Sequence, residues 1–286
     1  MSATGGPEPY RLLWEPLLRA ALAEDLGRAG DVTSDAILPP GLPARARLVA
    51  RKPGRIAGLG ISLATFGLLS PDFEIEVRHA EGTDADAAAT LALIQGPARE
   101  MLSAERTCLN LLGHLSGIAT ATARLVEAVR GTRAQIVCTR KTTPGLRALE
   151  KYAVRMGGGA NHRFGLDDAV LIKDNHRAVA GSIGEAVARA RRAVGHLVKV
   201  EIEVDALEQI DEALAAGVDA ILLDNMEPAT LAEAVRRIAG RAITEASGGI
   251  TLETAPAIAA TGVDLLSVGW ITHSAPNLDV ALDVEV

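Results

Sequence analysis

The sequence predicts an α/β protein in which an incomplete (β/α) barrel follows a mixed α+β unit. From about residue 134, six apolar runs of strand length alternate with helical patterns, most of them of 10 to 15 residues. Continuous apolar strands of this kind call for a parallel sheet covered on both faces. Gly217-Val218-Asp219 and Gly262-Val263-Asp264 are twin helix-to-strand connectors, which βα repeats produce. Polar residues gather where the apolar runs end, the face on which a barrel carries its chemistry.

The elements follow in order. The first dozen residues, with Gly5, Gly6, Pro7 and Pro9, read as a loose tail, and Leu12 to Leu26 has helical spacing. Pro39-Pro40-Gly41-Leu42-Pro43 marks a turn, after which Ala44 to Arg51 alternates apolar and polar like a strand. Phe73 to His79 alternates again, with Phe73, Ile75 and Val77 on one face. Residues 98 to 130 are helical, with Met101, Leu102, Cys108, Leu109 and Leu112 spaced to bury one side. The strands of the barrel are Gln135–Cys138, Ala169–Ile172, Leu197–Val204, Ala220–Leu223, Ala242–Thr244 and Leu265–Val268. Helices Leu146–Met156, Ser182–Val194, Ala206–Ala215, Pro228–Ile238 and Leu252–Ala260 separate them. An open doubly wound sheet would also bind ligands at its strand ends. No G-x-G-x-x-G follows a strand, so dinucleotide binding has no support and the barrel is preferred.

Composition narrows the function. The chain has 286 residues, a net charge of −7 and 48% hydrophobic residues, with seven aromatics in all. A nucleic-acid protein would show a broad basic face and aromatics for stacking, so nucleic acid is not an expected partner. Cys108 and Cys138 have no metal-ligand spacing and read as two reduced thiols. The N-terminus, with Glu8 and Glu15, lacks the pattern of a signal peptide. No run approaches the roughly 18 apolar residues that span a bilayer. A soluble, cytoplasmic protein without membrane contact is expected.

Against the global balance, residues 139 to 177 hold eight Lys/Arg and four Asp/Glu. Arg140, Lys141, His162, Arg163 and Lys173 come from three strand or loop ends. Five such groups need two or more anionic moieties, which arginine forks and lysine point charges suit. Glu203 and Asp224 end neighbouring strands and face one cavity. They suit Mg²⁺, sugar hydroxyls or a developing positive charge on carbon; the alternative is ion pairing with Lys141 and Lys173. Glu201 has the parity of Glu203, and two inward carboxylates on one strand are costly without partners. Ser247-Gly248-Gly249-Ile250 and Val268-Gly269-Trp270 are consecutive strand-to-helix loops, the place for a phosphate cup, or simply tight turns. Arg147, Lys151 and Arg155, with Glu150 beside them, read as a solvated helix face. His114 and His196 read as ordinary histidines, and no set of residues has zinc spacing. For Ser103-Ala104-Glu105-Arg106 an intrahelical ion pair is the default.

Taken together, these motifs resemble the quinolinate phosphoribosyltransferases over nearly the whole chain. The match runs through Glu24-Asp25-Leu26-Gly27, Gly30-Asp31-Val32-Thr33 and Ser103-Ala104-Glu105-Arg106-Thr107. It is densest from Thr139-Arg140-Lys141-Thr142-Thr143-Pro144-Gly145 through Gly157-Gly158-Gly159-Ala160-Asn161-His162-Arg163 to Leu171-Ile172-Lys173-Asp174-Asn175-His176. Glu201-Ile202-Glu203-Val204, Leu223-Asp224-Asn225-Met226, Ala246-Ser247-Gly248-Gly249-Ile250 and Thr272-His273-Ser274-Ala275 complete it.

The resemblance implies an N-terminal α/β sandwich over residues 1–115, rejoined by the tail at about 275–286, and an open α/β-barrel catalytic domain over 116–274. It implies transfer from 5-phosphoribosyl 1-pyrophosphate to quinolinate with Mg²⁺, releasing CO₂ and pyrophosphate and leaving nicotinate mononucleotide. Arg140, His162, Arg163 and Lys173 would then bind the quinolinate dicarboxylate, with Thr139 also binding substrate and Lys141 shared toward the donor. Glu203 and Asp224 would hold the ribose hydroxyls and Mg²⁺. Ser247, Gly248 and Gly249 with Val268, Gly269 and Trp270 would cradle the 5′-phosphate. A homodimer, alone or assembled further, is implied, with Arg106 reaching the neighbouring active site to join Lys141, Glu203 and Asp224 in catalysis. Two positions depart from the pattern: Met156, where Cys often stands, and the bulky Trp270. A homologous transferase of different acceptor specificity and a non-catalytic phosphosugar-binding paralogue remain as alternatives.

Overall fold

The computed structural model describes residues 7–285; Gly5 and Gly6 of the expected tail lie outside them. The first half of the chain forms α1 (Arg11–Leu26), α2 (Val32–Ile37), β1 (Pro43–Ala50), β2 (Gly54–Arg55), α3 (Leu59–Leu69), β3 (Glu74–Val77), β4 (Asp84–Ala85), β5 (Thr90–Pro97) and α4 (Ala98–Ala128). Next come β6 (Gln135–Val137), α5 (Arg147–Met156), β7 (Val170–Ile172), α6 (Asp174–Ala180), α7 (Ile183–Ala193), β8 (Val200–Val204) and α8 (Gln209–Ala215). The last are β9 (Ala220–Asp224), α9 (Pro228–Ile238), β10 (Ile243–Ser247), α10 (Ala255–Ala259), β11 (Leu265–Ser267), α11 (Trp270–His273) and β12 (Val280–Glu285). Two compact units result. One takes the residues up to Ala123, Thr142–Gly158 and the residues from Ile271; the other takes Arg124–Lys141 and Gly159–Trp270.

The first unit is built on an antiparallel sheet in the order β12-β1-β5-β3. The C-terminal strand does return: Arg45 pairs with Glu285 and Ala50 with Val280. Alternation in β1 turns Ala46, Leu48 and Ala50 to one side and the arginines to the other. The apolar side joins Leu59, Leu63 and Phe66 of α3 and Met101, Ala104, Cys108 and Leu112 of α4 in one core.

Helix α5, expected within the barrel domain, groups with this first unit. Nor is its charged side solvated, as its spacing suggested: Glu150 is 0% and Lys151 1% exposed. Leu149, Tyr152, Ala153, Val154 and Met156 of the same helix are buried as well, so it is enclosed nearly all round. Both Glu150 oxygens are bonded, one to His114 Nε2 at 2.9 Å and one to the Thr143 amide at 3.1 Å. A buried charge satisfied in this way is tolerated.

The second unit is the barrel. Its six strands pair in the order β6-β11-β10-β9-β8-β7, and every pairing is parallel. The first strand in sequence therefore pairs with the last, and the sheet stays open, with β6 and β7 at its two edges. The free edge of β6 is covered by the segment at Ala160, whose amide donates to Ile136 O at 2.8 Å while its carbonyl accepts from the Cys138 amide at 3.2 Å. Val200, Ile202, Val204, Ile221, Leu223 and Ala246 are buried. Alternation sends Glu201, Glu203, Asp224, Glu245 and Ser247 to the opposite face. No helix among the described residues is long and apolar enough to cross a membrane.

Candidate active site

Each strand of the barrel delivers polar groups at its carboxyl end. After β6 the chain turns at once, the Lys141 amide donating to Thr139 Oγ1 at 3.0 Å. That places Thr139, Arg140 and Lys141 on a short turn. Beside it, Asn161 accepts from the Cys138 thiol at 3.3 Å, and His162 and Arg163 follow. The Arg163 amide donates to His162 Nδ1 at 2.7 Å, and its guanidinium donates to Ala169 O at 3.1 Å. The intervening loop is closed by Asp168, which accepts from the Phe164 amide at 2.6 Å and the Gly165 amide at 2.9 Å.

Arg163 is a half-buried cation with one donor unmet. Its Nε is buried with no hydrogen-bond partner among the described residues. Burial lowers its pKa from the usual arginine range and the adjacent Arg140 lowers it further, while Glu201 and Asp168 act in the opposite sense. Two guanidiniums held close in a partly dry site repel one another until an anion arrives.

Lys173 ends β7 and starts α6, and its amide donates to His176 Nδ1 at 2.9 Å. This capping contact gives His176 a role that sequence reading did not assign. Lys173 Nζ lies 3.5 Å from Glu203 Oε2, so the ion pair weighed above does form, between partly exposed groups. Glu201, one turn of the pleat deeper on β8, lies 2.9 Å from His162 Nε2. Glu245 on β10 is 2% exposed, and its Oε1 lies 3.6 Å from the same nitrogen. Burial pushes the Glu245 carboxyl up to about 8, helped by the neighbouring Glu201 charge and opposed by His162 and Ser267. Glu245 was not a candidate in the sequence, because the apolar run containing it was read as ending at Thr244.

Asp224 ends β9 and accepts from Asn225 Nδ2 at 2.7 Å. Asn225 itself is left-handed, at φ +54°, and its amide donates to Ser247 O at 2.8 Å. Directly opposite, Gly248 stands at φ +99°, and a Cβ there would lie 2.0 Å from Asn225 Oδ1. Glycine at 248 is thus required both by backbone conformation and by space. The Trp270 indole donates to Ile250 O at 3.0 Å, tying the loop after β11 to the loop after β10. The bulky residue therefore braces the glycine loop. Val268 is anchored to β6, its amide donating to Val137 O at 2.9 Å.

The strand ends of the second unit thus carry Thr139, Arg140, Lys141, His162, Arg163, Lys173, Glu203, Asp224, Ser247–Gly249 and Val268–Trp270. Arg106 stands exposed on α4 in the first unit. The intrahelical ion pair that was its default is not among the ion pairs of the described residues.

An open parallel barrel that gathers cations, carboxylates and glycine loops at its strand ends defines a class: α/β-barrel proteins that hold phosphorylated or carboxylated ligands there. A family model described as quinolinate phosphoribosyl transferase, C-terminal domain, matches residues 118–283, and its N-terminal-domain counterpart matches 31–116. The probable nicotinate-nucleotide pyrophosphorylase (carboxylating) of Bacillus subtilis (strain 168) is 46% identical over 268 residues, 94% of this chain and 92% of that protein. Its counterpart in Mycobacterium leprae (strain TN) is 48% identical over 274 residues, 93% of this chain and 95% of that protein. The crystal structure of NadC from Streptococcus pyogenes superposes with a TM-score of 0.94 at 39% identity, covering 98% of this chain and 99% of that one. The chain belongs to the quinolinate phosphoribosyl transferase family.

Proposed function

We propose that the chain transfers the phosphoribosyl group of 5-phosphoribosyl 1-pyrophosphate to quinolinate. CO₂ and pyrophosphate leave, and nicotinate mononucleotide remains for NAD synthesis. Relatives across nearly the whole chain carry names for this activity. The observation that carries the reading is the buried, unsatisfied Arg163 Nε beside Arg140. A planar dicarboxylate would supply an acceptor for the Arg163 Nε, which has none among the described residues.

In this reading Arg140, His162, Arg163 and Lys173 hold the two carboxylates of quinolinate, with Thr139 also at the substrate site. Lys141 and Arg106 of the partner subunit meet the pyrophosphate, and the assembly is a homodimer. Ser247 to Gly249 and Val268 to Trp270 offer backbone amides to the 5′-phosphate. Glu203 and Asp224 are oxygen donors of the kind Mg²⁺ accepts, usually alongside substrate phosphates. When bound there, Mg²⁺ neutralises charge developing on the pyrophosphate. No wholly protein-built cage is needed, which suits two carboxylates at an open mouth.

Chemistry follows from charge placement. As the bond from ribose C1 to pyrophosphate lengthens, Glu203 and Asp224 face the cationic sugar carbon, while Lys141 faces the departing oxygens. The ring nitrogen of quinolinate uses its lone pair to bond C1. The positive nitrogen so formed stabilises the electron pair left on the adjacent ring carbon as its C–CO₂⁻ bond breaks and CO₂ leaves, and a proton from solvent takes that carbon. None of this requires a strong general base. Incubating the protein with Mg²⁺, the phosphoribosyl donor and either quinolinate or nicotinate tests the reading. CO₂ and pyrophosphate are expected with quinolinate alone. Turnover of nicotinate in its place would move the chain to a different acceptor, and no product with either would remove the enzymatic reading.

A further inference from the structure

We propose that Asn225 is a positioning residue for Asp224: its side-chain amide, seated against Gly248, aims that carboxylate at the sugar of the phosphoribosyl donor. This role rests on the function proposed above, in which Asp224 meets the ribose hydroxyls. Three contacts of Asn225 carry it. Its Nδ2 donates to Asp224 Oδ2 at 2.7 Å. Its backbone amide donates to Ser247 O at 2.8 Å, extending the β9–β10 ladder past the pair Asp224–Ser247. Its Oδ1 faces Gly248 so closely that a Cβ there would lie 2.0 Å away. An ionised carboxylate only accepts, so the amide turns its nitrogen to Asp224 and its oxygen to Gly248.

Backbone conformation accounts for only part of the choice of residue. Asn225 stands at φ +54°, in the left-handed region that glycine visits most readily and asparagine and aspartate next. Any of the three would serve the turn. Glycine would leave Asp224 without its donor, and aspartate would set a second carboxylate against it. Of the three, asparagine alone combines the turn with an N–H aimed at Asp224.

Asp224 is half-buried at the end of β9, where the terminal torsion of an untethered carboxylate is broad. The Nδ2 contact commits Oδ2 and fixes the plane of the group, so Oδ1 is presented to the ligand in one direction. Gly248, with no side chain, leaves the amide room to hold that pose. The sugar then meets an acceptor already ordered, which raises affinity without adding a contact.

Calorimetric binding of ribose 5-phosphate to the whole protein, without Mg²⁺, tests this apart from turnover. Asn225→Gly keeps the left-handed turn and the Ser247 bond and removes only the side chain. Its affinity for ribose 5-phosphate should fall about tenfold, the low end for a hydrogen bond to a charged group because this one lies at an exposed mouth. Adding Asn225→Gly to Asp224→Ala should then change affinity by less than roughly twofold, since one residue acts through the other. Wild-type affinity in Asn225→Gly would mean that asparagine serves the turn alone, and overturns the proposal. A full loss repeated in the Asp224→Ala background overturns it as well.

A second variant guards against misfolding. Asn225→Asp keeps the shape of the side chain and the turn but replaces the donor, and it should bind ribose 5-phosphate no better than Asn225→Gly. Binding as tight as wild type would overturn the proposal. In steady-state kinetics both variants should raise KM for the phosphoribosyl donor about tenfold and leave that for quinolinate within about twofold. Equal rises in the two KM values would overturn the role toward the sugar. Failure of the proposed function shows separately: the wild-type protein would then neither bind ribose 5-phosphate nor turn over, whatever stands at 225, and the ribose role of Asp224 would fall with this proposal.

Discussion

Gly248 is constrained both by its backbone conformation and by its neighbours. Its φ of +99° is a glycine conformation, and a methyl group would press on Asn225, which also holds Asp224 and the Ser247 carbonyl. Gly248→Ala should therefore cost on the order of 1–3 kcal/mol from backbone strain alone. The proposed 5′-phosphate loop would shift with it, so KM for the phosphoribosyl donor should rise well above that for quinolinate. Steady-state kinetics with each substrate varied would check this, and equal effects on both would argue against a phosphate role for the loop. The glycines and cations were legible in sequence because they stand where apolar runs stop. Asn225 was not, since its contacts come from Gly248 and Ser247 on the next strand. Glu245 escaped for the same reason: its partner Glu201 lies 44 positions earlier, and only the pairing of both strands with β9 brings them together.

Strands and helices depend on equally tight approaches. At Gly117 on α4 the returning tail crosses the helix so closely that a Cβ would lie 2.2 Å from Pro276 O and 3.0 Å from Asn277 Cα. Both are backbone atoms and cannot swing aside. Gly117→Ala should destabilise the first unit by roughly 1–3 kcal/mol, although alanine is the better helix former. Thermal unfolding would register a lower Tm, and a raised Tm would mean the tail does not pack there. Long amphipathic elements such as α4 and α9 were readable from their period. Helix α3 was not, because Leu59, Ile61, Leu63 and Phe66 are all buried and leave it no polar stripe to mark a face. Helix α2 has only six residues and depends on Asp31, which accepts from the Thr33 and Ser34 amides. Strands β2 and β4, two residues each, are too short to carry a pattern.

For the molecule as a whole, two carboxyls tie stability to pH in opposite senses. Asp219 would have its pKa raised by burial, but the Lys199, Val200 and Arg191 contacts prevail and hold it at about 2 against an ordinary 3.8. The stability it contributes is present above 3.8 and is lost as pH falls through about 2. Glu245, at about 8 against an ordinary 4.5, keeps its proton while the unfolded chain gives it up. Its contribution is full below 4.5 and is lost as pH rises through about 8. Denaturant midpoints at pH 6 and pH 8.5 should fall for the wild type and fall less for Glu245→Gln; parallel slopes would refute the buried acid. Assembly offers a last test, because the proposed site takes Arg106 from one subunit and Lys141 from the other. Arg106→Ala and Lys141→Ala proteins should each lose roughly 10²–10³ in rate, the usual loss when a charge-stabilising donor is removed. Mixed and allowed to exchange subunits, half of the dimers would be hybrids, each holding one site with both residues intact and one with neither. Activity should then recover to about a quarter of the wild-type level, as subunit symmetry requires. If the mixture stays as inactive as its components under conditions where exchange is demonstrated, Arg106 acts within its own chain, and the proposed dimeric active site is wrong.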